Sequence, residues 1–427
     1  MESAQPCFAI ALLCRLCRAI TRPALSLTLG RRLGATRHGV LQSVAHLCSF
    51  VAAGTFGRHS DAAGPEAAIV AAAACGVMAH VSLVVGVSAS FTSLMCVGRV
   101  AQTISADAIA VPMKAMAAER RCGNVGGGSR AASVGLLQGG TGLGFALGSL
   151  VGGTLASLGT VVPLLAALGC AMANLAFGIR LQRGRSAHSN GDAAADSRRR
   201  PGAQQVQLHH SLFSSRAVLL LLLRFLNGVS LSIALTSFEM ALQAALGWSA
   251  LRIGQMLAAT GAMNALASVH LVPRLHRLAT EPVLLCGGFV TLAVGRALQA
   301  AAMIAAPAPA PIPSHASFGA AIVALALGQC LVAVGGATST TLLVTLTAQA
   351  APNGYTGQLI GLSDSFDGIG AVVGPIASGI LLDAFGPSAP SAAASTLCLV
   401  GGAMSGCILA RMGMRTSASV TQSKKGA

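Results

Sequence analysis

The residues able to do chemistry in this sequence are ionisable and amide side chains set inside long apolar runs. Asp107 follows Arg99 and Gln102 in one run, and Asp364 and Asp367 stand three residues apart in another. Arg224 and Asn227 interrupt a third run, and Gln329 a fourth. Burying a charge in hydrocarbon is costly, so each of these points either to function or to a partner charge. A desolvated carboxylate holds a proton more readily than one in water. Asp107, Asp364 and Asp367 are therefore candidates for proton or cation coupling, and the alternative is structural pairing with a buried base such as Arg224. Asp107 lies eight residues beyond Arg99, about 12 Å along a helix. That is too far for a direct pair, and the two are expected to flank a cavity. Asp367 shares a helical stripe with Gly370 and Gly374, which suits a helix contact. Asn227 and Gln329 suit bonds between helices at least as well as bonds to a solute. Glu239, near the end of its run, reads as solvated, and Arg296 has no evident role. The histidines are isolated or in loops, without metal-ligand spacing, and no G-x4-G-K-[ST] phosphate loop occurs. An enzyme, a metal or cofactor site and an ATP-driven pump are thus not expected.

These residues need elements that hold them in a bilayer. The 427 residues are 54% hydrophobic and only 9% charged, where soluble proteins carry about 25% charged residues. Apolar runs near 20 residues long, parted by short polar breaks, predict an all-α multi-pass membrane protein. Spans are expected at 39–57, 66–86, 92–113, 131–155 and 160–178, then at 217–240, 251–273, 283–304, 318–345, 357–382 and 390–411. Residues 1–38 hold a weaker first span, interrupted by Arg15, Arg18 and Arg22, and the segment also suits a targeting peptide. Residues 179–215 form a basic polar linker between a six-helix half, 1–178, and a second, 216–411, which a basic tail, 412–427, follows. The net charge of +16 is concentrated in loops and tail. Basic loops beside spans mark the cytoplasmic side, which puts both termini there and argues against nucleic acid as a partner.

Two glycine ladders stand out within the spans. Gly144, Gly148, Gly152 and Gly153 form the first; Gly370, Gly374, Pro375 and Gly379 form the second, 226 residues later. Both fit G-x3-G-[PS]-x2-[GS]-G. In a soluble helix each glycine would cost about 1 kcal/mol. In a membrane the small-xxx-small spacing lets two backbones pack closely. Two copies at equivalent places predict a duplicated bundle.

Three motifs carry a family resemblance. Gly57-Arg58-His59-Ser60-Asp61-Ala62-Ala63-Gly64 resembles the G-x3-D-x2-G loop between the second and third spans of major facilitator transporters. Arg99 with Gln102 resembles their R-x2-Q element, and the first ladder resembles the antiporter motif of their drug/proton subgroup. Within the superfamily the chain is similar to tetracycline-resistance-type drug/proton antiporters and organic-cation-transporter-like solute carriers. It departs from the pattern at Ala62, Ala63, Pro65 and Glu66, where basic residues are usual, and at Ser149, where proline is usual. The resemblance implies the major facilitator fold, with twelve spans in two six-helix halves. It implies that Asp61 meets a helix N-terminus of the other half and helps close a gate with Gly57, Arg58 and Gly64. It also places the first, fourth, seventh and tenth spans around a central cavity. The expected function is secondary transport of a small organic solute, coupled to protons, of the drug or organic-cation antiport type. A facilitative carrier and a non-transporting receptor or scaffold are the alternatives. The partners would be the solute, protons and the lipid of a plasma or organelle membrane, with the chain a monomer.

Overall fold

The computed structural model describes residues 5–119, 130–188, 215–306, 315–350 and 356–425. Twelve long helices fill them: α1 (Gln5–Leu33), α2 (Ala35–Ala63), α3 (Pro65–Ser88), α4 (Thr92–Glu119), α5 (Arg130–Ala156) and α6 (Val162–His188), then α7 (Ser215–Leu246), α8 (Ala250–Leu266), α9 (Glu281–Ala305), α10 (His315–Ala350), α11 (Thr356–Phe385) and α12 (Ala389–Lys425). A π turn (Ala267–Leu271) and a short helical piece (Val272–Leu275) prolong α8. No strand occurs among the described residues. Most of the expected linker lies outside them, since α6 runs to His188 and α7 begins at Ser215.

Among the described residues, seven helices are long and apolar enough to cross a membrane. The α1 helix is not one of them, because Arg15, Arg18 and Arg22 sit in its middle. It is nonetheless packed throughout its length: Ile10 and Leu29 are fully buried and Ile20 nearly so. The sides of the bundle invert the rule for soluble proteins. Arg99, Gln102, Asn174, Arg224 and Arg296 are buried, while Met78, Phe91, Met172 and Val323 are exposed. That distribution fits a chain whose outer solvent is lipid.

The ladders are the joints of this bundle. Along α5 the first ladder meets α1 in parallel register. A Cβ on Gly144 would lie 2.5 Å from the Leu12 carbonyl oxygen, and one on Gly148 would lie 2.6 Å from the Ala19 Cβ; Gly152 abuts the backbone of Ile20. Gly153 turns to the other side and meets Gly254 and Ala250 of α8. In α11, Gly370 and Gly374 pack on Val229 and Ser232 of α7, again in parallel, while Gly379 and Pro375 meet Ala35 and Gly39 of α2. Each ladder helix thus grips the first helix of its own half and the second helix of the other.

One expectation of local structure is corrected. Residues 57–66 read in the sequence as a loop, but α2 continues to Ala63 and breaks only at Gly64. Gly64 takes φ +91 and donates its N–H to the Ser60 carbonyl, a backbone conformation that favours glycine. Pro65 then opens α3, where its missing N–H costs nothing.

Candidate functional site

The polar residues gather in three groups, and the arginines of α1 organise two of them. Arg15, Arg18 and Arg22 share one helical face. Arg18 Nη1 lies 3.6 Å from Asp107 Oδ1, and Ser49 Oγ of α2 donates to Asp107 Oδ2 at 2.7 Å. Asp107, too far along α4 to pair with Arg99, takes its partner charge from α1. Ser49 is midway along α2, so this pair sits near the middle of the bundle's height.

Arg99 lies about two turns nearer the start of α4, 8% exposed, in a network of neutral groups. Its Nη1 donates to Gln102 Oε1 at 2.7 Å, and its Nε and Nη2 donate to Gln42 Oε1 at 3.3 and 3.1 Å. Gln102 in turn donates to Thr21 Oγ1 at 3.0 Å and lies 3.2 Å from His80 Nε2. His80 Nδ1 is 2.7 Å from the Gly76 carbonyl oxygen. An acceptor there requires Nδ1 to carry the proton, which leaves Nε2 to accept from Gln102. A cavity of about 20 Å³, room for roughly one water molecule, opens beside this network between Arg18, His80, Gln102 and Asn174.

The second group crosses between the halves. Arg22 forms an ion pair with Glu239 of α7 and donates through Nη2 to the Leu235 carbonyl at 2.7 Å. Its guanidinium also stands 5.7 Å over the Phe145 ring of α5. The Glu239 side chain is only 1% exposed, which corrects its reading as a solvated residue. Two helical turns separate it from the end of α7, yet α1 covers it with a charge. Nearby, Asp383 of α11 accepts hydrogen bonds from the backbone N and the hydroxyl of Thr36, at 2.8 and 2.6 Å. A carboxylate at the N-terminus of α2 meets the positive end of its dipole. These bridges, with the Gly153–Gly254 and Gly39–Pro375 contacts, join the halves at the end where α1 turns into α2 and α7 into α8.

The third group belongs to the second half. Arg224 Nη2 lies 3.5 Å from Asp364 Oδ1 and 3.4 Å from Asp367 Oδ2, so one arginine is shared by two aspartates. Arg224 is 8% exposed while the aspartates keep about a third of their surface, 34% and 35%. Gly368 packs against Phe50, the neighbour of Ser49 on α2. The aspartates of α11 and Asp107 of α4 therefore stand at the same height. Asn227 and Gln329 are buried, on α7 and α10. Arg58 is exposed near the far end of α2, while the surroundings of Gly57 and Asp61 lie outside the described residues.

Sequence reasoning missed Ser49, Gln42, Thr21, His80 and Asp383. Each is an ordinary polar residue in its own helix, and only the neighbouring helix shows what it holds. Arg18 and Arg22 gave more warning. Cations on one face of an apolar helix require anions on whatever packs there.

No curated protein matches the chain at a significant level. Solved structures resemble it in fold. The human organic anion transporter MFSD10 (TETRAN) aligns at TM-score 0.67 and 18% identity, over 94% of this chain and 98% of its own. A D-xylose–proton symporter aligns at 0.71 and 12%, over 94% and 96%. The nucleoside transporter NupG, solved as a point mutant, aligns at 0.67 and 13%, over 96% and 99%. The family model described as Major Facilitator Superfamily matches residues 7–307 and 220–426, together nearly the whole chain. With twelve helices in that arrangement, this integral membrane chain belongs to the Major Facilitator Superfamily, whose members move small solutes across a bilayer.

Proposed function

We propose that the chain is a secondary transporter that moves a small polar organic solute by alternating access and couples that movement to protons. The observation that carries this reading is the set of mid-height carboxylates. Asp107, Asp364 and Asp367 each keep about a third of their surface, 38%, 34% and 35%, while pairing with Arg18 or Arg224. A proton arriving at such a carboxylate cancels its charge and releases the arginine. The freed arginine is then a site for an oxygen-bearing solute. Two further donors of Arg224, Nε and Nη1, are buried without an acceptor among the described residues, and a shift of α11 would offer them to such a solute.

The charges also bear on the substrate class. Acidic residues beside amides suggest, in the sequence, an organic cation. Arg18, Arg22 and Arg224 balance most of those acids, and Arg99 adds a charge held by glutamines alone. A neutral or zwitterionic solute suits that balance better than a bare cation.

Uptake into proteoliposomes, with and without a pH gradient, tests the reading. Asp107→Asn is expected to abolish the gradient's effect while leaving folded protein in the membrane. Asp364→Asn alone leaves Asp367 on Arg224 and should reduce coupling in part, with the double variant Asp364→Asn/Asp367→Asn removing it. Proton dependence that survives both Asp107→Asn and the double variant would sink the coupling. Solute movement without any response to pH would leave a facilitative carrier.

A further inference from the structure

The cavity of about 20 Å³ is lined by α1, α3, α4 and α6 and by no helix of the second half. Arg18 lines it, and so do Ser105 and Ala106, the two residues that precede Asp107 on α4. It therefore adjoins the Arg18–Asp107 pair. From α6, Asn174 lines the same space. Asn174 is 3% exposed, and its Oδ1 is buried with no hydrogen-bond partner among the described residues. An amide oxygen left in that state is costly. The oxygen and the nitrogen of an amide are nearly alike in shape, so a half-turn of the side chain exchanges them. Other polar groups at the cavity are engaged: Ser105 donates to the Ala72 carbonyl at 2.7 Å, Cys14 to that of Ala106 at 3.9 Å, and Gln102 to Thr21 at 3.0 Å.

The charges around Arg18 offer it one anion. Cys14, Arg15 and Arg22 stand on its own helix, and Arg22 is held by Glu239 of α7. His46 of α2 stands within reach of the charges of Arg18 and Asp107, and His80 of α3 lines the cavity. From α6 comes the Cys170 thiol, beside Cys17, while α5 meets α1 through its glycines. Asp107 is the acid that acts on Arg18. Once Asp107 is neutral, Arg18 keeps its own proton and needs another acceptor. Arg99 shows what this half gives a cation in place of an acid, the amide oxygens of Gln42 and Gln102. Asn174 is a further amide, and its oxygen is unengaged. One Nη group of a guanidinium is close to a water molecule in size, so the cavity admits one such group. Arg18 already lines that cavity, and rotation about its last side-chain bonds is enough to enter it.

We propose that this pocket is the second seat of Arg18. When a proton neutralises Asp107, Arg18 turns one Nη group into the cavity and donates to the Asn174 amide oxygen; when the proton leaves, Arg18 returns to Asp107. The switch rests on proton uptake by Asp107. Asn174 is then a positioning residue, which holds the freed arginine beside the carboxylate until a solute oxygen engages it.

A double-mutant cycle, read by thermal unfolding of the purified full-length chain, tests the seat apart from transport. Asp107→Asn stands for the protonated acid, and Asn174→Leu keeps the side chain's size while removing the acceptor. In the parent, where Asp107 holds Arg18, Asn174→Leu should change the midpoint little. In Asp107→Asn it should lower the midpoint by several degrees, since Arg18 then has neither partner. The swapped variant Asp107→Asn/Asn174→Asp, with the acid moved into the pocket, should be at least as stable as Asp107→Asn. If Asp107→Asn alone yields no folded protein, recovery of folded protein in the swapped variant decides for the seat and its failure against it. Equal losses from Asn174→Leu in both backgrounds would overturn the proposal. In uptake, Asn174→Leu should move the pH of half-maximal rate downward, because losing the seat penalises the protonated state. Parent uptake indifferent to pH would remove proton coupling, and the cycle alone then judges the seat.

Discussion

The two halves share a frame and differ in what the frame carries. In both, a glycine ladder binds the first helix of its own half in parallel and reaches the second helix of the other half. In the first half the helix so gripped is α1, with Arg18 and Arg22 reaching separate acids, one of them on the opposite half. In the second half it is α7, where the single Arg224 is shared by two aspartates of one helix. Backbone packing has been kept symmetric while the charges have not. Close approach of two helices needs only small residues at fixed spacing. A charge needs one particular partner, and nothing in the frame dictates where that partner stands. The asymmetry gives the halves different tasks: among the described residues the first half sends the Arg22 cation across to an acid, whereas the second half sends the Asp383 carboxylate to the start of α2.

The largest effect expected is on the shared frame. Gly152→Leu forces a branched side chain into the backbone of Ile20, and Gly370→Leu does the same against Phe225 and Val229. Neither neighbour is the end of a flexible side chain. Each substitution should cost about 3 kcal/mol, the upper end for overpacking, and lower the yield of monodisperse protein in size-exclusion chromatography to a similar degree. If one is tolerated and the other is not, the symmetry of the frame is wrong.

A smaller effect is expected at the charge that crosses the halves. Glu239→Gln keeps the shape of the bridge to Arg22 and removes its charge, a loss of roughly 1–3 kcal/mol. Arg22 would retain the Leu235 carbonyl and the Phe145 ring, so the protein should remain folded. The bridge helps close one end of the bundle, and the variant should spend more time open there. With the native cysteines replaced, a cysteine at Ser26, a buried position one turn beyond Arg22, reports this. Its labelling by a membrane-impermeant maleimide should be faster in Glu239→Gln than in the parent. Equal rates would mean that the bridge is structural and not a gate.

How far the sequence could be read follows the same division. Spans, halves and ladders emerge from hydropathy and small-residue spacing, which are properties of one helix at a time. The pairs do not. Arg18 and Asp107 are 89 residues apart and Arg22 and Glu239 are 217 apart. Each looks expensive alone, and its partner is fixed only once helices pack. From the sequence Asp107 can be related only to residues of its own run, such as Arg99, which is too far off to pair, whereas its neighbour is a helix whose arginines make it look least like a span. Gly64 misleads differently: Asp and Gly near a helix end suggest a loop, but one glycine at positive φ suffices to break α2 from α3.

The smallest effect concerns the two serines associated with the ladders, and it separates the copies most finely. Ser378 of α11 donates to the Ile233 carbonyl at 2.6 Å and lies 2.7 Å from Ser237 Oγ. Ser149 of α5, which stands where the second ladder has Pro375, is fully buried, and its hydroxyl meets no partner among the described residues. A bonded buried hydroxyl contributes about 1 kcal/mol, whereas an unbonded one costs its desolvation. Ser378→Ala should therefore lower stability by about 1 kcal/mol, while Ser149→Ala should leave it unchanged or raise it slightly. Thermal midpoints of the two purified variants are enough to compare them. A loss at Ser149→Ala equal to that at Ser378→Ala would show that the first ladder holds a hydrogen bond that its packing does not reveal. The two seams would then be alike in their polar contacts as well as in their glycines.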